Sequence, residues 1–192
     1  MKQDKNSELK EYFDSLLDNR LLKSRTILIF GEINQKVARD VTERLLLLAD
    51  ESTDPIKIFI NSQGGHVEAG DTIHDMIKFV EPRVKIIGTG WVASAAALIY
   101  CAPPKTRRFA FQNTRFLLHQ PSGGVGGQAT EIDIEAREII KVKKRLNKIF
   151  AEQTGQSLTK VQKDTERNFW MSVEEAKSYG LVGKIIKSLK EI

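Results

Sequence analysis

The sequence contains one cysteine, three histidines and no hydrophobic run long enough to cross a membrane. Cys101 cannot form an intrachain disulfide, and its place after the apolar run AAALIY predicts a buried structural thiol rather than a reactive one. No apolar run reaches the roughly 18 residues that a membrane span requires. The polar start MKQDKNSELK lacks the apolar core of a secretory signal. These absences predict a cytoplasmic protein without membrane contact.

The histidines and the basic residues argue against two further kinds of site. His66 and His74 are eight residues apart on a predicted helix, so they share a face but lie about 12 Å apart, too far for a shared metal ion. No Cys/His spacing resembles a zinc site. Much of the net charge of +5 lies in KVKKRLNK (141–148), which has no interleaved aromatics. We interpret this run as a solvated helix face or subunit contact and expect no nucleic acid.

Short apolar runs alternate with longer segments of helical period, the pattern of a largely parallel α/β sheet with right-handed crossovers. The strands are predicted at residues 26–30, 56–60 and 84–88, then at 107–111, 115–119 and 184–187. The helices are predicted at 8–22, 35–50, 66–80 and 130–153, with a capping box at Ser172–Glu175 for a short helix near the end. A chain of 192 residues without linkers suits one domain over 1–192.

The segment GTGWVASAAA (88–97) takes a strand directly into a small-residue helix, with Ser94 at the junction. A serine there projects from a strand end beside the first free N–H groups of a helix, as in a nucleophile elbow. The segment does not match G-x-S-x-G, and a serine in front of a helix is most often an N-cap. Taken alone, Ser94 is more commonly an N-cap than a nucleophile.

Two more strand ends carry residues that suit the same chemistry. Gly64 and Gly65 follow strand 56–60 and let the backbone turn its N–H groups inward, although a tight turn requires the same glycines. No Gly-Lys-Ser/Thr follows, so this is not a phosphate loop. His119 closes strand 115–119. Because parallel strands end at one edge of a sheet, a hydroxyl, a base and amide donors are predicted to meet there, as acyl transfer requires.

Four blocks of the sequence, in order and with matching gaps between about residues 24 and 188, resemble one known family. The blocks are INSQGGHVEAG, GWVASAAA, RRFAFQNTRFLLHQPSGGVGGQATEIDIEAREI and TERNFWMSVEEAKSYGLV. They are similar to the proteolytic subunit of the bacterial Clp protease, a serine peptidase. The resemblance implies a crotonase-like, ClpP-type spiral of βαβ units with a protruding handle helix. Residues 1–23 would be an N-terminal segment and helix, and 120–153 the handle region.

The resemblance also implies a role for individual residues. The family nucleophile corresponds to Ser94 and its general base to His119. The oxyanion amides correspond to Gly65 and Ala95, and the third member of the triad to Asn168. Substrate backbone is expected to pair with a strand formed by Ser122, Gly123, Gly124 and Val125.

The partners implied by the resemblance are further copies of the chain, an ATPase and substrate. Heptameric rings stacked as a tetradecamer would enclose a chamber, and an AAA+ unfoldase would feed unfolded polypeptide through axial pores. The resemblance implies neither a metal nor a cofactor.

Three positions depart from the family pattern. Asn168 stands in TERN where the family usually has aspartate, so the imidazolium lacks a neighbouring charge and impaired activity is expected. Asp164 or Glu166 is an alternative source of that carboxylate. Residues 95–97 are Ala-Ala-Ala instead of a methionine and glycine, which changes the pocket's shape. The start MKQDKNSELK replaces an apolar, proline-bearing stretch and leaves unfoldase docking open.

Two alternatives to an active serine endopeptidase follow from these residues. Asn168 favours a mainly structural or regulatory subunit of a mixed particle, whose output depends on a second isoform that carries aspartate. A glycine-donor oxyanion hole on a crotonase-like spiral also suits an acyl-CoA enzyme, which does not need the Ser94 and His119 pair.

Overall fold

The computed structural model describes residue 13 and residues 15–124 and 126–192. The helices are α1 (15–23), α2 (Gln35–Glu51), α3 (Val67–Phe79), α4 (Ala95–Tyr100), α5 (Ala129–Thr154), α6 (Leu158–Asp164) and α7 (Val173–Tyr179). The strands are β1 (Thr26–Ile33), β2 (Ile56–Gly65), β3 (Val84–Ala93), β4 (Arg108–Phe111), β5 (Arg115–Leu118), β6 (Phe169–Met171) and β7 (Lys184–Ile186). Lys105–Arg107 and Leu189–Glu191 form 3₁₀ turns.

One sheet organises the molecule, with strand order β1-β2-β3-β4-β7 and every neighbouring pair in that order parallel. The second half of β3 leaves β4 and pairs with β5, which in turn pairs with β6 in antiparallel orientation. The strands are rich in isoleucine because their inward positions are fully buried under α2 to α4, as a parallel sheet requires. The predicted α/β class with a parallel sheet is confirmed.

The observed strands run further than the sequence patterns predict. β1 and β2 shift register between Phe30 and Glu32, and β2 and β3 shift between Ile60 and Ser62, after which pairing resumes. These irregularities carry β2 on to Gly65 and β3 on to Ala93, so both strands end beside the candidate serine. Pairing with neighbouring strands, which local periodicity does not encode, sustains these polar and glycine-rich extensions.

The long helix α5 confirms the predicted helix over 130–153. Gln128 and Glu131 form a capping box at its start, and Gly155 with φ +77° ends it in the left-handed conformation. Only its last turns are buried, at Leu146, Asn147, Phe150 and Thr154, while most side chains before residue 142 are exposed. The first half of α5 therefore projects from the domain.

Several predicted elements are confirmed within a residue or two. The helix predicted over 8–22 is helical at residue 13 and over residues 15–22, whereas residues 8–12 and 14 lie outside the described residues. Residues 122–124 of the predicted substrate-pairing strand form no regular structure in the single chain, and Val125 lies outside the described residues. Among the helices of the described part of the chain, none is long and apolar enough to span a membrane.

Arg108 is a buried cation at the start of β4, only 1% exposed. Its Nε donates to Pro103 O at 2.7 Å, and its Nη1 donates to Gln153 O at 3.0 Å and to Leu181 O at 3.3 Å. Its Nη2 donates to the Gln153 side chain. The guanidinium thus holds the C-terminal turn of α5 to the sheet, where the helix dipole favours a cation.

We expect Arg108→Met to destabilise the fold by about 3 kcal/mol or more, because three buried carbonyl oxygens lose their donor. Urea unfolding at fixed protein concentration measures the loss. Lys105→Met removes a neighbouring exposed cation and serves as the control. A loss below about 1 kcal/mol at Arg108 would contradict this account.

Candidate active site

Ser94 lies between β3 and α4 in a conformation that side chains rarely adopt, with φ 58° and ψ −123°. Its N–H donates to Leu117 O at 3.0 Å, which fixes the turn against β5. The residue is formally the N-cap of α4, yet its side chain makes no capping hydrogen bond. The commoner N-cap interpretation therefore fails. The strained backbone presents a hydroxyl group that makes no hydrogen bond to the helix.

The amide groups around Ser94 come from α4 and from the end of β2. Ala97 and Leu98 donate to Ser94 O, so the earlier N–H of Ala95 lies in the first turn, where a helix has no acceptor of its own. A Cβ on Gly64 would lie 2.6 Å from Ser94 Cβ and 3.0 Å from Ala95 N. Only glycine lets β2 approach so closely, so the backbone of Gly64 lies directly against the serine, whereas Gly65 lies against the backbone of Ile33 in β1.

His119 follows β5 and lines one small cavity with Ser94. The rest of the lining is apolar: Val67, Ala95, Leu98, Pro121, Leu146 and Phe150. The imidazole is half-buried, and burial lowers the pKa of His119 below its ordinary value of 6.5. A neutral imidazole is thereby favoured, which is the form that accepts a proton. No hydrogen bond joins the described Ser94 hydroxyl to this imidazole.

Asn168 is brought near His119 by the antiparallel pairing of β5 and β6. Leu118 and Phe169 form the last pair of this ladder, and His119 and Asn168 are the next residue beyond it on each strand. Both residues line a cavity of about 470 Å³. The Asn168 side chain is exposed, and no hydrogen bond links these two described side chains.

Gln120 connects the histidine strand to the loop that carries Asn168. Its N–H donates to Thr165 O at 2.7 Å and its Nε2 donates to Glu166 O at 2.8 Å. The buried Thr165 hydroxyl in turn donates to Asn147 of α5 at 2.9 Å. Sequence reasoning missed this connection, because nothing in the local pattern links residues that are 46 positions apart.

The two carboxylates that are alternatives to the missing aspartate have other partners. Asp164 accepts from Tyr179 Oη at 2.9 Å and pairs with Lys160. Glu166 pairs with Lys143 of α5 at 2.8 Å, and this ammonium lowers the pKa of Glu166 below its ordinary value. Glu166 lines the same cavity as His119 but is directed by its ion pair toward α5.

The predicted substrate-binding segment lies at the mouth of the site. Ser122 lines the cavity of His119 and Asn168. A Cβ on Gly123 would lie 3.0 Å from Ile139 of α5, whereas one on Gly124 would meet nothing within 4 Å. Of the four predicted residues, Val125 lies outside the described part of the chain.

The remaining sequence candidates lie elsewhere. His66 precedes α3 and pairs with Glu68, while His74 is 4% exposed and pairs with Asp75. Cys101 is fully buried, and burial raises the pKa of its thiol to about 11, so the predicted structural thiol agrees with its position. Within the described ranges, His, Cys, Asp and Glu form no group of three that suits a metal ion.

Comparisons with known proteins decide the family. A model of the family described as Clp protease matches residues 10–189. The chain belongs to the Clp protease family. ATP-dependent Clp protease proteolytic subunit 2 of Gluconobacter oxydans is 62% identical over 180 residues, or 93% of this chain and 81% of that protein. Subunit 3 of Rhizobium etli is 60% identical over 172 residues, or 90% of this chain and 89% of that protein.

Solved structures of the Clp protease family match in fold as well. ClpP1 from Listeria monocytogenes has a TM-score of 0.83 and 56% identity, covering 91% of this chain and 98% of that one. A point mutant of ClpP1 in which aspartate replaces an asparagine has a TM-score of 0.85 and 57% identity over the same shares. The expected ClpP-type fold with its handle helix is thus confirmed. The function is that of a Clp proteolytic subunit, a serine peptidase.

Proposed function

We propose that Ser94 is the nucleophile of this peptidase and His119 its general base, with Asn168 orienting the imidazole. The observation that carries the proposal is the cavity that the strained Ser94 shares with a half-buried, neutral imidazole. The N–H groups of Gly65 and Ala95 supply the oxyanion hole. The close approach of Gly64, the residue before Gly65, to Ser94 and Ala95 supports this role.

The reaction proceeds through an acyl-enzyme. His119 takes the hydroxyl proton while Ser94 Oγ bonds to the carbonyl carbon, and the carbonyl oxygen gains a negative charge beside the two amides. The C–N bond then breaks, and the imidazolium gives its proton to the leaving amine. Water, deprotonated by the same imidazole, releases the carboxylate and restores the serine. The missing Ser94–His119 hydrogen bond implies that this contact tightens when substrate binds.

We propose that the catalytic rate of the isolated chain is impaired at Asn168. An asparagine oxygen accepts the imidazole Nδ1–H, but it carries no charge to stabilise the imidazolium. The pairing of Asp164 with Lys160 and of Glu166 with Lys143 supports this view, because both nearby carboxylates already have partners.

For the assembly, we propose heptameric rings stacked as a tetradecamer that receives unfolded polypeptide from an AAA+ unfoldase. Residues 1–192 form one peptidase domain, with 1–23 as its N-terminal segment and 120–153 as the handle. The exposed Ile132, Ile134 and Ile140 on the projecting half of α5 support a contact with another subunit. Residues 122–125 would pair with substrate backbone at the mouth of the site.

A mainly structural or regulatory role in a mixed particle is the second candidate, and Asn168 favours it. In that case the aspartate-bearing isoform supplies most of the peptidase rate. Native mass spectrometry of the purified chain in the presence of a fluorophosphonate distinguishes the two. The mass of the intact particle gives the ring size, and the mass added by the probe gives the reactivity of Ser94.

We expect the fluorophosphonate to modify Ser94 and the adduct to disappear in His119→Ala, since the hydroxyl then lacks its base. Intact mass and peptide mapping identify the adduct, and Ser178→Ala, which removes an exposed serine of α7, is the matched control. An acyl-CoA enzyme of the crotonase type would show no such dependence. Equal labelling in His119→Ala would contradict the proposed pair.

A further inference from the structure

A second cavity, of about 560 Å³, lies between the C-terminal end of α3, the start of β3 and the loop before β4. Its lining includes Lys78, Glu81, Arg83, Pro103, Arg107 and Gln153. It shares no lining residue with either cavity at Ser94 and His119. Its volume is in the range that accommodates small-molecule ligands.

The cavity carries an excess of positive charge. Lys78, Arg83 and Arg107 line it, against the single carboxylate of Glu81. None of these three cations forms an ion pair with any residue that the structure describes, whereas many exposed cations elsewhere do, such as Lys36 with Asp40. Like charges that converge without counterions repel one another, so a bound anion would relieve this repulsion.

The walls of the cavity are fixed by a fourth cation behind them. The buried Arg108 donates to Pro103 O and to both the backbone and the side chain of Gln153, and Pro103 and Gln153 are wall residues. All its described partners are neutral oxygens, so its positive charge is not neutralised. The buried Pro82 adds a second rigid wall. These contacts of Arg108 fix Pro103 and Gln153 in the wall of the cavity, whereas the lining cations Lys78 and Arg83 have exposed side chains.

We propose that this cavity binds a small molecule that carries phosphate groups. Two of the lining cations are arginines, whose planar donor pairs match phosphate oxygens bidentately, and a lysine adds a third point of charge. Phosphate groups suit the net charge of the lining better than a single carboxylate does, because one phosphate carries up to two charges. The volume of about 560 Å³ matches a small ligand.

The test is isothermal titration of the full-length protein with inorganic pyrophosphate at constant ionic strength. We expect saturable binding, weakened about tenfold or more in Arg83→Gln and again in Arg83→Gln/Arg107→Gln, since each arginine supplies charge-assisted hydrogen bonds. Lys163→Gln/Lys177→Gln removes the same charge from exposed positions outside the cavity and should leave binding unchanged.

Three outcomes would overturn the proposal. Binding that is equally weakened by Lys163→Gln/Lys177→Gln would show a diffuse attraction to the basic chain. Binding of citrate as tight as that of pyrophosphate would exclude a phosphate-specific site. Preferential binding of an acidic peptide over pyrophosphate would identify the cavity as a polypeptide contact. Unchanged circular dichroism spectra of all variants ensure that lost binding is not lost folding.

Discussion

Replacing Asn168 by aspartate is expected to raise kcat/KM for a short fluorogenic peptide by at least about 10-fold and up to about 10⁴-fold. The upper figure is the loss that the reverse exchange causes in a trypsin-type triad. The carboxylate would face His119 in the register set by Leu118 and Phe169, where it fixes the tautomer and stabilises the imidazolium. A 10⁴-fold change is equivalent to about 5 kcal/mol at the barrier.

The same substitution is expected to shift the pH profile in a defined direction. If His119 is the general base that we propose, only its neutral form is active, so kcat/KM should rise as pH increases through the pKa of this imidazole. Burial lowers that pKa in the native chain, which moves the acidic limb to lower pH than an ordinary histidine would give. A carboxylate beside the imidazolium favours the charged form and raises the pKa. Asn168→Asp should therefore move the acidic limb to higher pH while it raises the plateau.

Two variants make this result interpretable. Asn168→Ala should lower the rate below that of the native chain if the amide oxygen orients His119. Glu166→Gln removes the nearby carboxylate and should change little, because Glu166 pairs with Lys143. A peptidase rate that is unchanged in Asn168→Asp, with an unmoved acidic limb, would show that Asn168 is not the weak point.

Much of this site could be predicted from the sequence because short local patterns mark its parts. His119 ends an apolar run, and Gly65 and Ser94 follow the predicted strands 56–60 and 84–88 at a short distance. Parallel strands that end together bring such residues to one edge of the sheet. The small residues after Ser94 and the pair Gly64–Gly65 can also be recognised directly in the sequence. The fold class and the main helices follow from periodicity for the same reason.

The parts that could not be predicted depend on pairing between distant segments. β6 is three residues long, and only its ladder with β5 makes it a strand and sets Asn168 opposite His119. Leu146 and Phe150 line the serine's cavity from α5, although their helical spacing indicates no more than a buried face. The backbone strain at Ser94 is likewise imposed by its bond to Leu117 O and by the approach of Gly64, which no local propensity records.

Removal of the nucleophile is expected to have the largest effect. We expect Ser94→Ala to lower kcat for peptide hydrolysis to the limit of detection. Because we propose that Asn168 already reduces the native rate, we expect a measurable loss of about 10²- to 10⁴-fold, smaller than the roughly 10⁶-fold loss known for intact triads. His119→Ala should cost nearly as much, and the double variant no more than either one, since the two residues act as a unit.

The decisive comparison is between the rate loss of the double variant and the losses of the two single variants. If Ser94 and His119 worked independently, the double variant would lose the product of the single losses. Performing the measurements in the Asn168→Asp background enlarges the range over which the two cases differ. The amides of Gly65 and Ala95 are retained in every variant, so a residual rate above that in water is expected from oxyanion stabilisation alone. A double variant far slower than both single variants would show that Ser94 and His119 do not form one catalytic unit.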